Sequence, residues 1–294
     1  MVVLVVVVGV VGVVVAGRLW RAERTRAASP AAASTVATEP RTISYGSSSD
    51  QVYDVWPSAT GPAPLVMFVH GGGWTRGSKD SASGPYKAVH YPQLGYVYAS
   101  INYRLVPDVT VEDEARDVAA ALASLLAHAG ELGIDPTRVV IMGHSAGAHL
   151  VALVGTDEMY LASVGLSESS LRGVVPIDGA AYDVPAQVAF GGVMHDRYLE
   201  AFGSDPARQL ALSPTAHAAS PNAPAFLLPH VQRVDGVAQA QGLVAALTAA
   251  GTPAEEVGFP GTGLTGHAEI NRRMGDPTYE ATAVVDAWLA KVCG

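Results

Sequence analysis

A serine set between two glycines is the residue best suited to chemistry in this 294-residue chain. The segment Gly143-His144-Ser145-Ala146-Gly147 fits the pattern G-x-S-x-G, and an apolar run precedes it while a helix-like run, Ala148 to Val154, follows. In that context the serine occupies a sharp strand-to-helix turn, where flanking glycines keep Cβ atoms out of the crowded backbone. The helix N-terminus then favours developing negative charge. The pattern predicts that Ser145 is a nucleophile, with a glycine-rich turn that merely contains a serine as the alternative.

A run of three glycines lies upstream of this serine. The segment His70-Gly71-Gly72-Gly73-Trp74 directly follows the apolar stretch Leu65 to Val69. Consecutive glycines let the backbone approach a ligand closely and turn N–H groups towards it, as an oxyanion hole requires. A triple glycine alone is an ordinary loop more often than not. Its position ahead of G-x-S-x-G makes the combination specific.

A histidine and an aspartate downstream complete the candidate catalytic set. Asp235 follows the apolar run Ala225 to Leu228, and His267 follows the strand-like stretch Ala254 to Phe259. With a G-x-S-x-G serine, the acid and then the histidine come later in the chain. We therefore predict that Asp235 orients His267 and that His267 accepts the proton of Ser145.

Asp178 is the rival acid, because it ends another apolar run, Val174 to Ile177. If it is not the acid, we expect it to line the pocket or to hydrogen-bond a loop. Residues 261–266 match G-x-G-x-x-G but lack the βαβ setting of a dinucleotide site, so we predict a flexible loop before His267.

Short apolar runs alternate with helical stretches along the chain. Such runs are typical of parallel strands buried on both faces, so the predicted fold class is α/β, a doubly wound, mostly parallel sheet with helices on both faces. The predicted strands are Gln51 to Trp56, Leu65 to Val69, Tyr96 to Ile101, Val139 to Met142, Val174 to Ile177 and Ala225 to Leu228. The predicted helices are Glu112 to His128, Val237 to Ala250 and Ala281 to Val292. Thr110 and Asp113 fit a capping box for the first helix, and Gly251 a C-terminal cap for the second.

Residues 181–213 form an insertion between two predicted strands and are expected to cap the pocket. They carry aromatic and apolar side chains that suggest an apolar or aryl acyl group, although core packing explains those side chains equally well: Tyr182, Phe190, Met194, His195, Tyr198 and Phe202. Trp74 and Tyr182 are, with Asp178, the candidate substrate-binding residues.

The motifs together resemble the esterase branch of the α/β hydrolases. HGGGW, the run Asn102-Tyr103-Arg104-Leu105 and GHSAG carry this resemblance, which covers roughly residues 43 to 292. The branch includes hormone-sensitive-lipase-like carboxylesterases, bacterial feruloyl esterases and kynurenine formamidase. The resemblance implies that the N–H groups of Gly72, Gly73 and Ala146 form the oxyanion hole and that Asn102 to Leu105 braces the oxyanion loop.

The chain departs from this branch around the acid. Members often carry HG-x-x-D, whereas the segment Pro229 to Asp235 has one more residue between His230 and Asp235 and no glycine after the histidine. The departure keeps Asp178 open as the acid. We expect His230 to be structural, and His144 and His149 to have packing roles.

Composition excludes several other classes of function. The formal net charge of −9 argues against a nucleic-acid partner, and one cysteine, Cys293, allows neither an intrachain disulfide nor a cysteine-rich metal site. The motifs imply no cofactor and no metal. The sequence leaves the oligomeric state open.

The first 26 residues form a separate segment. Val2 to Gly17 is uncharged and apolar, and four arginines follow between positions 18 and 26. The run is short for a membrane span and suits a signal peptide, although a basic start is missing. We expect export or membrane anchoring, with a buried core strand as the alternative; residues 27–42 are predicted to be a flexible linker, and the catalytic domain to span 43–294.

The predicted reaction is hydrolysis of small or aryl carboxylic esters through an acyl-enzyme on Ser145. The same residues in an arylformamidase would cleave a C–N bond instead. A catalytically inactive binding module on the same fold is the alternative outside enzymes.

Overall fold

The structure is a computed structural model that describes residues 39–59, 61–81, 83–219 and 221–294. Eight strands form its centre. The strands are β1 (Arg41–Ser44), β2 (Val52–Trp56), β3 (Ala63–Val69), β4 (Val97–Ile101), β5 (Ile134–His144), β6 (Gly173–Ile177), β7 (Phe226–Gln232) and β8 (Ala254–Thr262). Their order is β1-β2-β4-β3-β5-β6-β7-β8. β2 pairs antiparallel with both of its neighbours, β1 and β4, and the other neighbours pair parallel, so the carboxyl ends of β3 to β8 meet at one edge.

Helices connect the parallel strands. They are α1 (Lys87–Gln93), α2 (Val111–Ala127), α3 (Ala129–Leu132), α4 (Ala146–Thr156), α5 (Glu158–Ala162), α6 (Val184–Phe190), α7 (His195–Phe202), α8 (Pro206–Ala211), α9 (Val234–Ala249), α10 (Gly263–Arg273) and α11 (Glu280–Cys293). Short 3₁₀ helices cover Glu168–Ser170 and Pro214–His217.

Both faces of the sheet are buried, as the alternation along β3 shows. Leu65, Met67 and Val69 belong to one apolar cluster, whereas Val66 and Phe68 belong to a second. Successive side chains of a strand point to opposite faces, so an uninterrupted apolar strand needs cover on both. This confirms the predicted doubly wound α/β architecture.

The six predicted strands and three predicted helices are all present, with shifted ends. The capping box of Thr110 and Asp113 is also present, and Gly251 follows α9 with a φ of +83°. β1 was not predicted, because its residues are largely exposed and form no apolar run. It begins at Arg41, so Arg41 and Thr42, which were predicted to belong to the linker 27–42, lie in a strand instead. Residues 27–38 of the predicted linker lie outside the described residues.

The insertion after β6 contains three short helices, α6, α7 and α8, between β6 and β7. This agrees with the predicted cap at 181–213. The described residues belong to one unit, Val36–Gly294. The predicted export or anchoring segment, 1–26, lies outside the described residues. Within the described part of the chain, every helix is too short or too polar to cross a membrane.

Candidate active site

Ser145 occupies a strained turn between β5 and α4. Its backbone has φ 57° and ψ −117°, a conformation that non-glycine residues rarely adopt. A Cβ on Gly143 would lie 2.2 Å from the carbonyl oxygen of Gly147, and one on Gly147 would lie 2.2 Å from that of Val69. The two glycines are therefore sterically required, as the G-x-S-x-G pattern predicts.

His267 connects Ser145 to a carboxylate. Its Nε2 lies 2.9 Å from Ser145 Oγ, and its Nδ1 lies 2.6 Å from Asp178 Oδ2. A carboxylate accepts hydrogen bonds, so Nδ1 carries the proton and Nε2 is free to accept the one on Ser145. The prediction that Ser145 and His267 meet agrees with this geometry.

Asp178 is fully buried directly after β6, the strand beside β5. Val231 N–H donates to its Oδ1 at 3.2 Å, and Arg233 Nε–H to its Oδ2 at 3.1 Å. Burial favours a higher pKa for Asp178, but the hydrogen bond from His267 and the charge of Arg233 outweigh it and lower the pKa below its ordinary value. The carboxylate beside His267 is thus ionised at neutral pH.

Asp235, the predicted acid, makes no hydrogen bond to His267, so that prediction does not match the contacts. Its Oδ2 accepts instead from Gln187 Nε2 and Arg233 Nη1, each at 3.3 Å. The physical reason is that β7 continues to Gln232, so Arg233 makes the turn and Asp235 falls in the first turn of α9. The other candidate, Asp178, occupies the place facing His267.

Arg233 lies between the two aspartates, and the sequence reasoning missed it. Its side chain is 11% exposed, and its Nη2 also donates to the carbonyl oxygens of Asp178 at 3.1 Å and Gly179 at 3.2 Å. A Cβ on Gly236 would lie 2.8 Å from that Nη2, so a glycine there makes room for the guanidinium. A basic residue two positions before Asp235 was the available signal.

The glycine loop after β3 lies against the nucleophile. A Cβ on Gly71 would lie 2.9 Å from Ser145 Cβ, and one on Gly72, whose φ is +140°, would lie 1.9 Å from the carbonyl oxygen of Arg76. Gly73 and Ala146 line the same cavity as Ser145. The glycine loop, with Gly72 and Gly73, and Ala146 at the start of α4 therefore lie beside Ser145, as expected of oxyanion-hole residues.

The segment Asn102 to Leu105 supports this loop. Tyr103 donates its hydroxyl hydrogen to the His70 carbonyl at 2.8 Å, and the two rings stack with centroids 4.3 Å apart. Asn102 Oδ1 accepts from Lys79 N–H at 2.6 Å. Arg104 donates from Nε and Nη2 to the carboxylate of Asp117. The bracing role that the resemblance implied agrees with these contacts.

Three other histidines have packing roles. His144 Nε2 contacts the His267 carbonyl at 2.9 Å, and His149 Nε2 contacts the Leu212 carbonyl at 2.8 Å, so each donates a proton there. Burial lowers the pKa of both, that of His149 to about 4. His230 is buried and contacts the Glu256 carboxylate. These agree with the structural roles predicted for them.

Three neighbouring cavities lie near Ser145, and two of them have Ser145 in their walls. A small one of about 50 Å³ holds Ser145, His267 and Asp178 in its wall. A cleft of about 560 Å³ opens along the glycine loop and α10, and a cavity of about 330 Å³ lies under the insertion. Met194 and Leu264 line all three.

Of the predicted substrate-binding residues Trp74 and Tyr182, only the first lines a cavity at Ser145. Trp74 lines the small cavity, and its ring packs against Phe202 at 4.8 Å between centroids. Tyr182 is buried in the core rather than exposed to the cavity, because its hydroxyl packs under Gly179. Leu264 was missed because residues 261–266 were predicted to be a loop, whereas α10 begins at Gly263.

Metal-binding residues do not cluster in the described part of the chain: no three His, Cys, Asp or Glu side chains there are grouped to hold an ion.

Comparisons with known proteins agree with this fold. The family model described as BD-FAE matches residues 54–180. Esterase LipC of Mycobacterium tuberculosis is 32% identical over 270 residues, which are 83% of this chain and 64% of that protein. Carboxylesterase NlhH of the same species is 34% identical over 120 residues, 40% of this chain and 37% of that protein. The chain thus spans less than two thirds of the length of these curated relatives.

A solved structure extends the likeness over the whole fold. Esterase B of Lactobacillus rhamnosis superposes with a TM-score of 0.66 at 20% identity, covering 87% of this chain and 85% of that one. The sheet order, the turn at Ser145 and this superposition are those of the α/β-hydrolase fold.

Proposed function

We propose that this α/β hydrolase cleaves carboxylic esters through an acyl-enzyme on Ser145. One observation carries the proposal: His267 contacts Ser145 Oγ through one ring nitrogen and Asp178 through the other. Serine, neutral imidazole and buried carboxylate in that order are the parts of a catalytic triad.

Each residue has a defined part in the reaction. Ser145 Oγ attacks the ester carbonyl while His267 Nε2 takes its proton, and Asp178 stabilises the resulting imidazolium. The N–H groups of Gly72, Gly73 and Ala146 hold the oxyanion of the tetrahedral intermediate. His267 then gives the proton to the leaving alcohol oxygen. Water, activated by His267, hydrolyses the acyl-enzyme and restores the Ser145 hydroxyl.

The relatives support an ester as substrate. LipC and NlhH are named esterase and carboxylesterase, and the superposed Lactobacillus protein is an esterase. The arylformamidase alternative gains no support from them. The contacts of His267 with Ser145 and Asp178 argue against an inactive binding module.

Hydrolysis of p-nitrophenyl acetate tests the proposal. Ser145→Ala should lower kcat by roughly 10⁴-fold or more, because nucleophile and base act as one unit. The wild-type rate should survive EDTA, since no step uses a Lewis acid. A Ser145→Ala protein that keeps its rate, or a wild-type rate that EDTA abolishes and zinc restores, would contradict the mechanism.

We also propose that residues 1–26 direct export or hold the protein at a membrane. The apolar run followed by four arginines supports this assignment. The full chain should leave the cytoplasm or sediment with membranes, whereas a chain beginning at Ala31 should remain soluble and fully active. Misfolding of the shortened chain would assign the apolar run to the core.

A further inference from the structure

Exposed apolar side chains gather at one cavity beside the nucleophile. Seven large hydrophobic residues are exposed in the described part of the chain, and four of them line the 330 Å³ cavity under the insertion. Their exposed fractions are 56% for Phe190, 91% for Val193, 79% for Val234 and 61% for Leu264. Single exposed apolar residues are ordinary, but a group around a cavity marks a binding site.

This cavity continues into the small cavity at Ser145. Met194, Tyr198, Arg233 and Leu264 belong to the walls of both. The small cavity, at about 50 Å³, is far below the roughly 300–1,000 Å³ of ordinary ligand pockets, whereas the neighbouring cavity reaches that range. A substrate larger than its ester group therefore extends beyond the small cavity.

The two charged side chains in the wall of this cavity are paired with each other. Asp235 accepts hydrogen bonds from Gln187 and Arg233, and Arg233 also donates to Asp178. Because both charges are compensated within the protein, the surface offered to an occupant is mainly that of Phe190, Val193 and their apolar neighbours. An apolar occupant fits this wall.

The direction of proton transfer separates the two halves of an ester. His267 gives its proton to the leaving alcohol oxygen, so the alcohol lies on the His267 side. The 560 Å³ cleft is on that side, lined by Ala268, Asn271 and Arg272 of α10. The cavity under the insertion is left for the acyl group.

We propose that the cavity lined by Phe190, Val193, Val234 and Leu264 binds an aliphatic acyl chain. The substrate class is then esters whose acyl group is longer than acetyl. The inference rests on the proposed ester hydrolysis at Ser145 and adds the chain that is hydrolysed.

A series of p-nitrophenyl esters from acetyl to octanoyl tests the inference with the alcohol held constant. Wild-type kcat/KM should rise about fourfold for each methylene that enters the cavity, the factor equivalent to ~0.8 kcal/mol. Phe190→Ser and Val234→Ser should each lower the octanoyl-to-acetyl ratio, Phe190→Ser by on the order of tenfold. Both positions are exposed, so neither change disturbs the core.

Matched controls come from exposed apolar residues elsewhere. Leu94→Ser and Met159→Ser, each at a position 49% exposed, should keep the wild-type ratio. If the protein cleaves the acetyl ester but kcat/KM does not change with the length of the acyl chain, this inference is overturned and the proposed function is left intact. Cleavage of no ester at all would reject the proposed function itself.

Two further outcomes also contradict the inference. If Phe190→Ser changes selectivity among alkyl acetates rather than among acyl chains, the cavity holds the alcohol. Alternatively, the rate rises only above the concentration at which the ester forms droplets, and Phe190→Ser and Val234→Ser lose only that rise. In that case the exposed side chains of the cavity contact a lipid surface and do not bind an acyl chain.

Discussion

The two ring nitrogens of His267 have different partners, and this fixes the direction of proton transfer. Nδ1 donates to the buried Asp178 carboxylate, so Nε2 faces Ser145 without a proton. An amide at position 178 would present either a donor or a neutral acceptor to Nδ1. The tautomer and the stabilisation of the imidazolium both depend on this carboxylate.

Asp178→Asn should therefore lower kcat for p-nitrophenyl acetate by on the order of 10²–10⁴-fold while the protein stays folded. Asp235→Asn is the matched control, since Asp235 contacts Arg233 and Gln187 but not His267. It should cost less than about tenfold. Greater sensitivity at Asp235 would mean that the acid of the triad is Asp235.

Arg233 should act as a positioning residue for Asp178. Its charge helps to lower the pKa of that carboxyl, so Arg233→Met should raise it and move the loss of activity on acidification to higher pH. Arg233→Lys keeps the charge and should restore much of the wild-type profile. The measurement is kcat between pH 4 and 8, and superimposable profiles for Arg233→Met and wild type would exclude the role.

At the level of the elements, α10 carries His267 and sits tightly on the end of β7 and β8. A Cβ on Gly266 would lie 2.7 Å from the carbonyl carbon of Gly261 and 3.3 Å from a methyl group of Val231. The sequence predicted a flexible loop for 261–266 because glycines dominate it. The glycines instead allow a helix to approach the sheet closely.

Gly266→Ala should shift α10 and lower kcat by about tenfold or more. A displacement of the catalytic base by about 1 Å can lower the rate on the order of 10²-fold. Gly242→Ala is the control: that glycine lies within α9 and an added Cβ meets nothing within 4 Å. It should stabilise the protein by about 1 kcal/mol without changing kcat. Equal kcat in both variants would show that the close approach at Gly266 does not position His267.

Across the whole molecule, the order of the strands in the sheet determines which aspartate contacts His267, and the sequence alone left this choice open. The motifs predicted Ser145, His267, the glycine loop and the alternation of strands and helices. Both Asp178 and Asp235 follow strands after Ser145, so chain order fits either one as the acid. The contacts differ because β6 lies beside β5, and because Arg233 turns the chain after β7.

Stability should fall on mild acidification because the fold buries neutral histidines. Burial lowers the pKa of His70 and His149 from 6.5 to about 4. Between those values the unfolded chain binds protons that the folded one does not, so each histidine lowers the free energy of unfolding as pH falls, by about 1.4 kcal/mol per pH unit.

Urea unfolding at pH 7, 6 and 5 measures this dependence. His149→Gln keeps an N–H donor for the Leu212 carbonyl and removes the titration, so its free energy of unfolding should depend less on pH than that of wild type. Identical slopes would show that His149 does not contribute to the loss.

Covalent catalysis by Ser145 can be measured by locating the adduct of a fluorophosphonate by peptide mass spectrometry. We expect one adduct per chain, on Ser145, formed in proportion to the loss of p-nitrophenyl acetate hydrolysis and absent from Ser145→Ala. An adduct on another residue that tracks the loss of activity, or full activity in protein fully labelled at Ser145, would contradict it.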